Sequence, residues 1–349
     1  MQIHYGSICS GIEAATAAWH TLGMRATWYA EIEPFPSAVL AHHYPNTPNL
    51  GDMIKLSPLV LAGKIAAPDI LVGGTPCQAF SVAGMREGLS DPRGALTIKY
   101  AELADAVDYV RASRGEPASV IVWENVPGVL SDKGNAFGCF LGALAGEDCE
   151  LQPPRKKWED AGCVYGPKRT IAWRVLDAQY FGLAQRRRRV FVVASARNGF
   201  DPLEVLLERE GTRRDSPPRR SEELSLHPTL TAKGGGALDD REAYVLEPEG
   251  VRRTSVIEWE RCQGFPDNYT QISWRGKPAS DAPTASDTRR LAIPKPSPWF
   301  AGLASVYLFN WEADEVVCSR LKGSESHHDH ACDSALHVLP RHRAHSHAP

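Results

Sequence analysis

The chain has 349 residues, 43% of them hydrophobic, and a formal net charge of -3 at pH 7. That length suits one large domain plus a smaller one, and the apolar share excludes a chain too polar to fold. The slightly acidic balance excludes a globally basic nucleic-acid magnet, so any contact with nucleic acid must come from a local basic face.

The eight cysteines are scattered with no Cys-x-x-Cys pair, which argues against a zinc ribbon or a disulfide framework and for a reducing, cytoplasmic setting. No apolar run is long enough to span a bilayer, and no signal peptide is recognised. No metal site and no membrane partner are expected.

From the N-terminus, Ile3 to Ile8 reads as a strand. It leads through Ser7-Ile8-Cys9-Ser10-Gly11-Ile12-Glu13 into a helix over Ile12 to Leu22. A tight turn onto a helix N-terminus binds polar ligand groups, and its glycine lets a ligand approach the backbone. Ala26 to Ala30 is the next strand, ending at Glu31-Ile32-Glu33, where a carboxylate can accept from both hydroxyls of a ribose. A helix over Pro36 to His43 follows, and Gly51-Asp52-Met53 then puts a carboxylate near a third strand end.

Ile70 to Val72 is a short buried strand that opens into Gly73-Gly74-Thr75-Pro76-Cys77-Gln78-Ala79-Phe80-Ser81. Pro76 fixes its own φ and biases Thr75 toward an extended shape, and the glycines permit close approach. Most free cysteines are small buried hydrophobes. Cys77 differs because a shaped loop presents it at the carboxyl end of a strand, where α/β folds place their chemistry.

Further strands are expected at Val120 to Trp123, Ile171 to Asp177 and Val190 to Ala194, with a helix over Thr97 to Ser113. This alternation predicts a mostly parallel sheet with helices on both faces. Glu124-Asn125-Val126-Pro127-Gly128 leaves one strand end. Gln185-Arg186-Arg187-Arg188-Arg189 enters another, with Arg187 and Arg189 on one face and Arg186 and Arg188 on the other. Ser81 to Arg93, with Gly84 and Gly88, is a candidate closing loop. Past Arg197 the pattern shifts to loops and short strands, and Glu258 and Arg261 lie three apart on a helix where they can pair. Seven of the twelve histidines fall between His327 and His347 with no apolar periodicity, which reads as a disordered tail.

The stretch around Cys77, with its Pro-Cys-Gln core and following Phe-Ser, resembles the nucleophile loop of the DNA cytosine-5 methyltransferases. Glu124-Asn125-Val126 is similar to that family's Glu-Asn-Val motif, and Gln185 to Arg189 fits its Gln-x-Arg-x-Arg pattern. Arg253 to Pro266 resembles the motif that frames its recognition domain. His227 to Gly234 is similar to a Thr-Leu element of the recognition region.

The resemblance implies a Rossmann-like, S-adenosylmethionine-dependent α/β catalytic domain over residues 1–197. It implies a small, mostly β and loop target-recognition domain over 198–282. The implied reaction moves a methyl group from S-adenosylmethionine to C5 of a flipped-out cytosine in double-stranded DNA through a Cys77–C6 bond. Glu124 would meet N3 and Arg189 would reach O2, with Arg187 beside the catalytic loop. Cofactor contacts would come from Cys9, Gly11, Ile12, Glu31, Ile32, Asp52, Met53, Pro76 and Leu96. DNA contacts would come from Gln78, Ser81, Arg93, Gln185, Thr229 and Leu230. A monomer in a bacterial or phage restriction-modification setting is expected, with a DNA-binding relic or an RNA cytosine methyltransferase as alternatives. A nicotinamide oxidoreductase is disfavoured, because the first turn lacks Gly-x-Gly-x-x-Gly.

The chain departs from the family twice. Glu13 stands where a second glycine is common. The closing Gly-Asn-Ser segment and its apolar helix are absent after Pro283. Codons permitted for Asp287 through Ala304, read one base earlier, can encode RYTALGNSQAVPVVRWIG, which contains both missing pieces. A slip of reading frame between Pro283 and Ser286 is therefore expected, with residues 283–349 an out-of-frame tail.

Overall fold

The computed structural model describes residues 2–76, 94–207, 244–276, 278–279 and 335–338. Its centre is an eight-stranded sheet in the order β10-β5-β6-β7-β4-β3-β1-β2. The strands are β1 (His4–Ile8), β2 (Arg25–Ala30), β3 (Ile70–Gly73), β4 (Val120–Asn125), β5 (Ala161–Tyr165), β6 (Thr170–Asp177), β7 (Arg188–Ser195) and β10 (Ala335–Val338). The sheet is mixed rather than mostly parallel. The β2-β1-β3-β4 half is parallel, and β7, β6, β5 and β10 each pair antiparallel. Short connections explain this: β5, β6 and β7 follow one another without crossover helices, so each strand must return beside the last.

Side chains alternate cleanly across the sheet. Leu71, Ile121, Trp123, Ile171, Trp173, Val190 and Val192 face one core. That core is covered by α3 (Leu56–Leu61), α4 (Gly94–Ser113) and α5 (Ala136–Ala145). Ile70, Val72, Val120, Val122, Ala172, Phe191 and Val193 face the other, covered by α1 (Ala14–Trp19) and α6 (Pro202–Leu206). Helices therefore lie on both faces, as expected. The α6 contacts extend the sheet domain past the boundary expected at Arg197.

Before Gly51, a single parallel bridge joins Asn49 to Tyr29 at the end of β2. At the opposite end of the sheet from the strand termini described below, Arg169 is buried against Asp105 and Asp108, and Arg111 against Asp69. These pairs bind α4 to the sheet.

Beyond α6, β8 (Tyr244–Glu247) and β9 (Gly250–Arg253) form a hairpin that leads into α7 (Val256–Cys262). Ser255 and Glu258 make a full capping box at the start of α7. The following segment returns to the sheet domain. Phe265, Tyr269 and Ile272 share a third core with Ile12 and Ala14 and with Phe35 and Val39 of α2 (Pro34–His43). Four residues of the tail, Ala335–Val338, pair with β5 as the edge strand β10, so this short piece is ordered backbone rather than the coil expected there.

Candidate active site

Two glycines bring the end of β3 against the ends of β1 and β4. A Cβ on Gly73 would run into the Ile8 carbonyl, and one on Gly74 would sit 2.7 Å from the Glu124 carbonyl and 3.1 Å from its Oε2. Thr75, fully buried, locks the start of the loop. Its Oγ1 accepts from Trp123 Nε1 at 3.1 Å and lies 2.9 Å from Thr97 Oγ1, and its carbonyl accepts from Asn125 Nδ2 at 3.0 Å. This hub fixes the direction in which the chain leaves toward Pro76. The sequence reading missed Thr75, Thr97 and Asn125 as supports; the Thr-Pro pair was the available signal. Cys77, Gln78, Ser81, Arg93, Thr229 and Leu230 lie outside the described residues.

Glu124, next to last in β4, is almost fully buried, at 1% exposure. Arg189 Nε approaches its Oε1 to 2.9 Å, yet neither carboxylate oxygen accepts an aligned hydrogen bond. The contact is an ion pair with hydrogen-bonding capacity left over. Arg187 and Gln185 are buried on the same side of the chain, while Arg186 and Arg188 are exposed, as the alternation predicted. Among the described residues, neither polar atom of the Gln185 amide nor Arg187 Nε has a hydrogen-bond partner. Burial and the nearby Arg189 cation lower the Arg187 pKa to about 9, still charged at pH 7. Asp177 shapes this approach by accepting from the Arg187 and Gln179 backbone N–H groups. Unsatisfied buried polar atoms are costly, and here they cluster at one strand end.

The second group lies at the ends of β1 and β2. Cys9, Gly11 and Glu13 all have positive φ, at 47°, 58° and 67°. The Glu31 carboxylate accepts from Gly11 N through Oε2 and from Glu33 N through Oε1, both at 2.7 Å. Ile32 beside it is 68% exposed and Ile54 is 47% exposed, two apolar surfaces flanking the carboxylate segment. Asp52 Oδ1 accepts from Ile54 N. Met53 and Ile12 turn into separate cores, and the Cys9 thiol faces the Met53 sulfur at 3.7 Å. Leu96 packs at the margin of the core.

Glu13 occupies a left-handed position that favours glycine. Its carboxylate compensates by accepting from Thr16 N at 3.1 Å and Thr16 Oγ1 at 3.2 Å at the start of α1. The Tyr5 and Tyr29 hydroxyls join the same Thr16 hydroxyl. Burial pushes the Glu13 pKa up to about 7. Tyr269 donates to the Ile12 carbonyl at 2.9 Å, so the segment after α7 also braces this turn.

In the framing motif, Glu258 and Arg261 do not pair. Arg252 takes both Glu258 oxygens at 2.8 and 2.9 Å and holds its pKa down to about 2, while Arg261 forks onto Asp267. The hairpin places Arg252 beside the helix start, nearer Glu258 than a residue one turn on. Glu260, buried, accepts from Thr270 N.

A mixed sheet covered by helices on both faces, with its polar groups gathered at the parallel strand ends, is the α/β fold of S-adenosylmethionine-dependent methyltransferases. A solved Entamoeba histolytica methyltransferase, EhMeth, shares it with a TM-score of 0.61 and 13% identity over 90% of this chain and 100% of that one. The model of the C-5 cytosine-specific DNA methylases matches residues 3–204, and the chain belongs to that family. The chain is 31% identical over 195 residues to the type II methyltransferase M.AquIA of Picosynechococcus, covering 54% of this chain and 70% of the relative. It is 59% identical over 308 residues to an Escherichia phage P1 protein named as a DNA N-6-adenine-methyltransferase. That match covers 80% of this chain but only 41% of the phage protein, so the chain spans about two fifths of that relative. Among the described residues, no helix is long and apolar enough to cross a membrane.

Proposed function

We propose that this chain methylates C5 of a cytosine in double-stranded DNA, using S-adenosylmethionine and a covalent Cys77–C6 bond. The observation that carries the reading is the cluster at one strand end where both Glu124 oxygens, both Gln185 amide atoms and Arg187 Nε are buried with no hydrogen-bond partner among the described residues, with Arg189 set against Glu124. A flipped cytosine offers N3, O2 and an exocyclic amine to such a cluster.

Cytosine C5 is a poor nucleophile. In the proposed reaction the Cys77 thiolate adds to C6, and the ring electrons move toward N3 and O2. Glu124 holds a proton at N3, and Arg189 stabilises negative charge at O2. C5 then carries enamine character and takes the methyl group. Loss of the C5 proton and departure of the thiolate restore the ring and the free Cys77.

The cofactor residues fit the group. Each Glu31 oxygen accepts one backbone hydrogen and retains a lone pair for a ribose hydroxyl, and Ile32 and Ile54 offer apolar faces for a base. When bound, S-adenosylmethionine supplies an electrophilic methyl on a sulfonium centre. The Gly11 turn brings backbone close to the ligand, and Asp52 offers its second oxygen to an amino group.

A second reading is an inactive DNA-binding relic. It rests on the missing Gly-Asn-Ser segment and on the slip between Pro283 and Ser286. The adenine activity in the phage P1 relative's name describes a protein most of which lies outside the match, and N6 transfer needs no thiol nucleophile.

The test is transfer of tritiated methyl from S-adenosylmethionine to unmethylated duplex DNA, followed by nucleoside analysis. The proposal expects label in 5-methylcytosine. Label in N6-methyladenine, or in tRNA and not in DNA, contradicts it. No label with this chain but label after correcting the frame favours the relic.

A further inference from the structure

An acidic chain that handles DNA needs a local cationic surface, and one sits beside the site on a loop without a role so far. The segment from Leu151 to Asp160 joins α5 to β5 and is fixed at both ends. At its start, the Leu151 carbonyl accepts from Asn135 Nδ2 at 2.8 Å. At its finish, the Trp158 ring is buried edge-on against Phe137 and Trp173, and its Nε1 donates to Asn135 Oδ1 at 3.0 Å. Trp173 Nε1 donates to the Glu159 carbonyl at 3.1 Å, and Val175 N donates to the Asp160 carbonyl at 2.6 Å.

Between these anchors Arg155, Lys156 and Lys157 all face solvent, with Arg155 at 78% exposure. Neither lysine is ion-paired with a described residue. Among the described residues, Arg155 is ion-paired with Glu159 alone, at 3.9 Å.

The loop lies at the active end of the sheet. Asp160 Oδ2 accepts from Arg188 Nη2 at 2.9 Å, and Arg188 adjoins Arg189, which contacts Glu124. Arg155, Lys156, Lys157 and Arg188 thus form a cationic ledge at this end of the sheet, with Glu159, Asp160 and Asp177 as the acids that contacts between the described residues set beside it. Holding cations on a fixed backbone lowers the ordering cost of meeting a polyanion.

We propose that Arg155, Lys156 and Lys157 are a phosphate-contacting platform for the DNA strand next to the flipped base. The inference rests on the methylation reading for its choice of partner. Phosphate contacts release counterions, so each one steepens the salt dependence of binding by about 0.9 in log–log slope.

The test measures binding of the full chain to a mixed-sequence DNA duplex across a salt series. Replacing all three residues by alanine should reduce the slope by about 2.7, and Lys156→Gln with Lys157→Gln by about 1.8. Lys64→Ala with Arg114→Ala, which removes two exposed cations at the opposite end of the sheet, should leave it unchanged. S-adenosylmethionine binding and melting temperature should not move in any variant. An unchanged slope in the triple variant overturns the proposal, as does an equal drop in the opposite-end control. Loss of affinity for tRNA with DNA binding intact also overturns it. A Cys77 adduct that still forms on DNA in the triple variant would show that the methylation reading survives such a failure.

Discussion

The two halves of the active end differ in how their polar groups are satisfied. At the β1–β2 end, the Glu31 oxygens already accept two backbone hydrogens, Glu13 caps α1 through Oε1 and leaves only Oε2 over, and Tyr269 ties down Ile12. At the β4–β7 end, both Glu124 oxygens, both Gln185 amide atoms and Arg187 Nε are buried with no hydrogen-bond partner among the described residues. The first half is largely held by its own hydrogen bonds. The second keeps desolvated donors and acceptors in reserve, which is stable only because the surrounding core is dense. Preorganised polar groups of that kind stabilise charge that appears during a reaction.

The largest effect that can break this contrast is catalytic. Glu124→Gln should cut the methyl-transfer rate by about 100- to 10,000-fold, with S-adenosylmethionine affinity unchanged when measured by calorimetry. A loss of affinity equal to the loss of rate would erase the distinction between the halves.

The next concerns Glu13. Its folded pKa of about 7 lies above the ordinary carboxylate range, so between those values the folded state binds more protons than the unfolded one. Stability from this group is full below about pH 4.3 and falls as pH rises through 7, by about 4 kcal/mol in all. Glu13→Gln, which keeps an acceptor for Thr16, should flatten that dependence and melt higher than the parent at pH 8. Parallel melting profiles from pH 5 to 8 would show that Glu13 is not a strained buried acid.

Glu31→Ala should weaken S-adenosylmethionine binding by about 100-fold, because two hydrogen bonds to a charged acceptor at about 1.5 kcal/mol each are lost from the first half. Covalent capture of DNA should persist. Smallest is Gly74→Ala, whose added methyl presses on the Glu124 carbonyl. A cost of about 1–3 kcal/mol in unfolding free energy is expected, read from denaturant titration, together with a reduced transfer rate.

Much of this was legible in the sequence. The six strands read from apolar runs all form; β3, β4 and β7 cross a two-sided core as continuous apolar stretches, and β1, β2 and β6 bury enough apolar residues to be read beside them. The pairing of Arg187 with Arg189 on one side follows from strand alternation alone. The rest depended on tertiary packing. The α5 helix carries Gly138 and Gly142, which would weaken it in isolation; in the fold they admit the carbonyls of Leu151 and Cys149 at close range. The β5 strand looks weak because Gly162 stands where the Trp173 indole needs room. The antiparallel half of the sheet and the Arg252–Glu258 pair are products of chain path, which local pattern does not encode. The basic loop was passed over because its meaning comes from Trp158, whose burial fixes where the cations stand.

The central claim is that the unsatisfied half awaits a cytosine attacked by Cys77. Incubation with S-adenosylmethionine and duplex DNA containing 5-fluorocytosine tests it most directly, since fluorine at C5 blocks the last elimination and traps the adduct. The account predicts a denaturant-stable protein–DNA complex, with the cross-link mapped to Cys77 and abolished by Cys77→Ser. Running the same reaction with a corrected chain, in which RYTALGNSQAVPVVRWIG replaces residues 287–304, removes any effect of the expected frame slip. A corrected chain that transfers methyl groups to DNA without forming that complex would contradict the account.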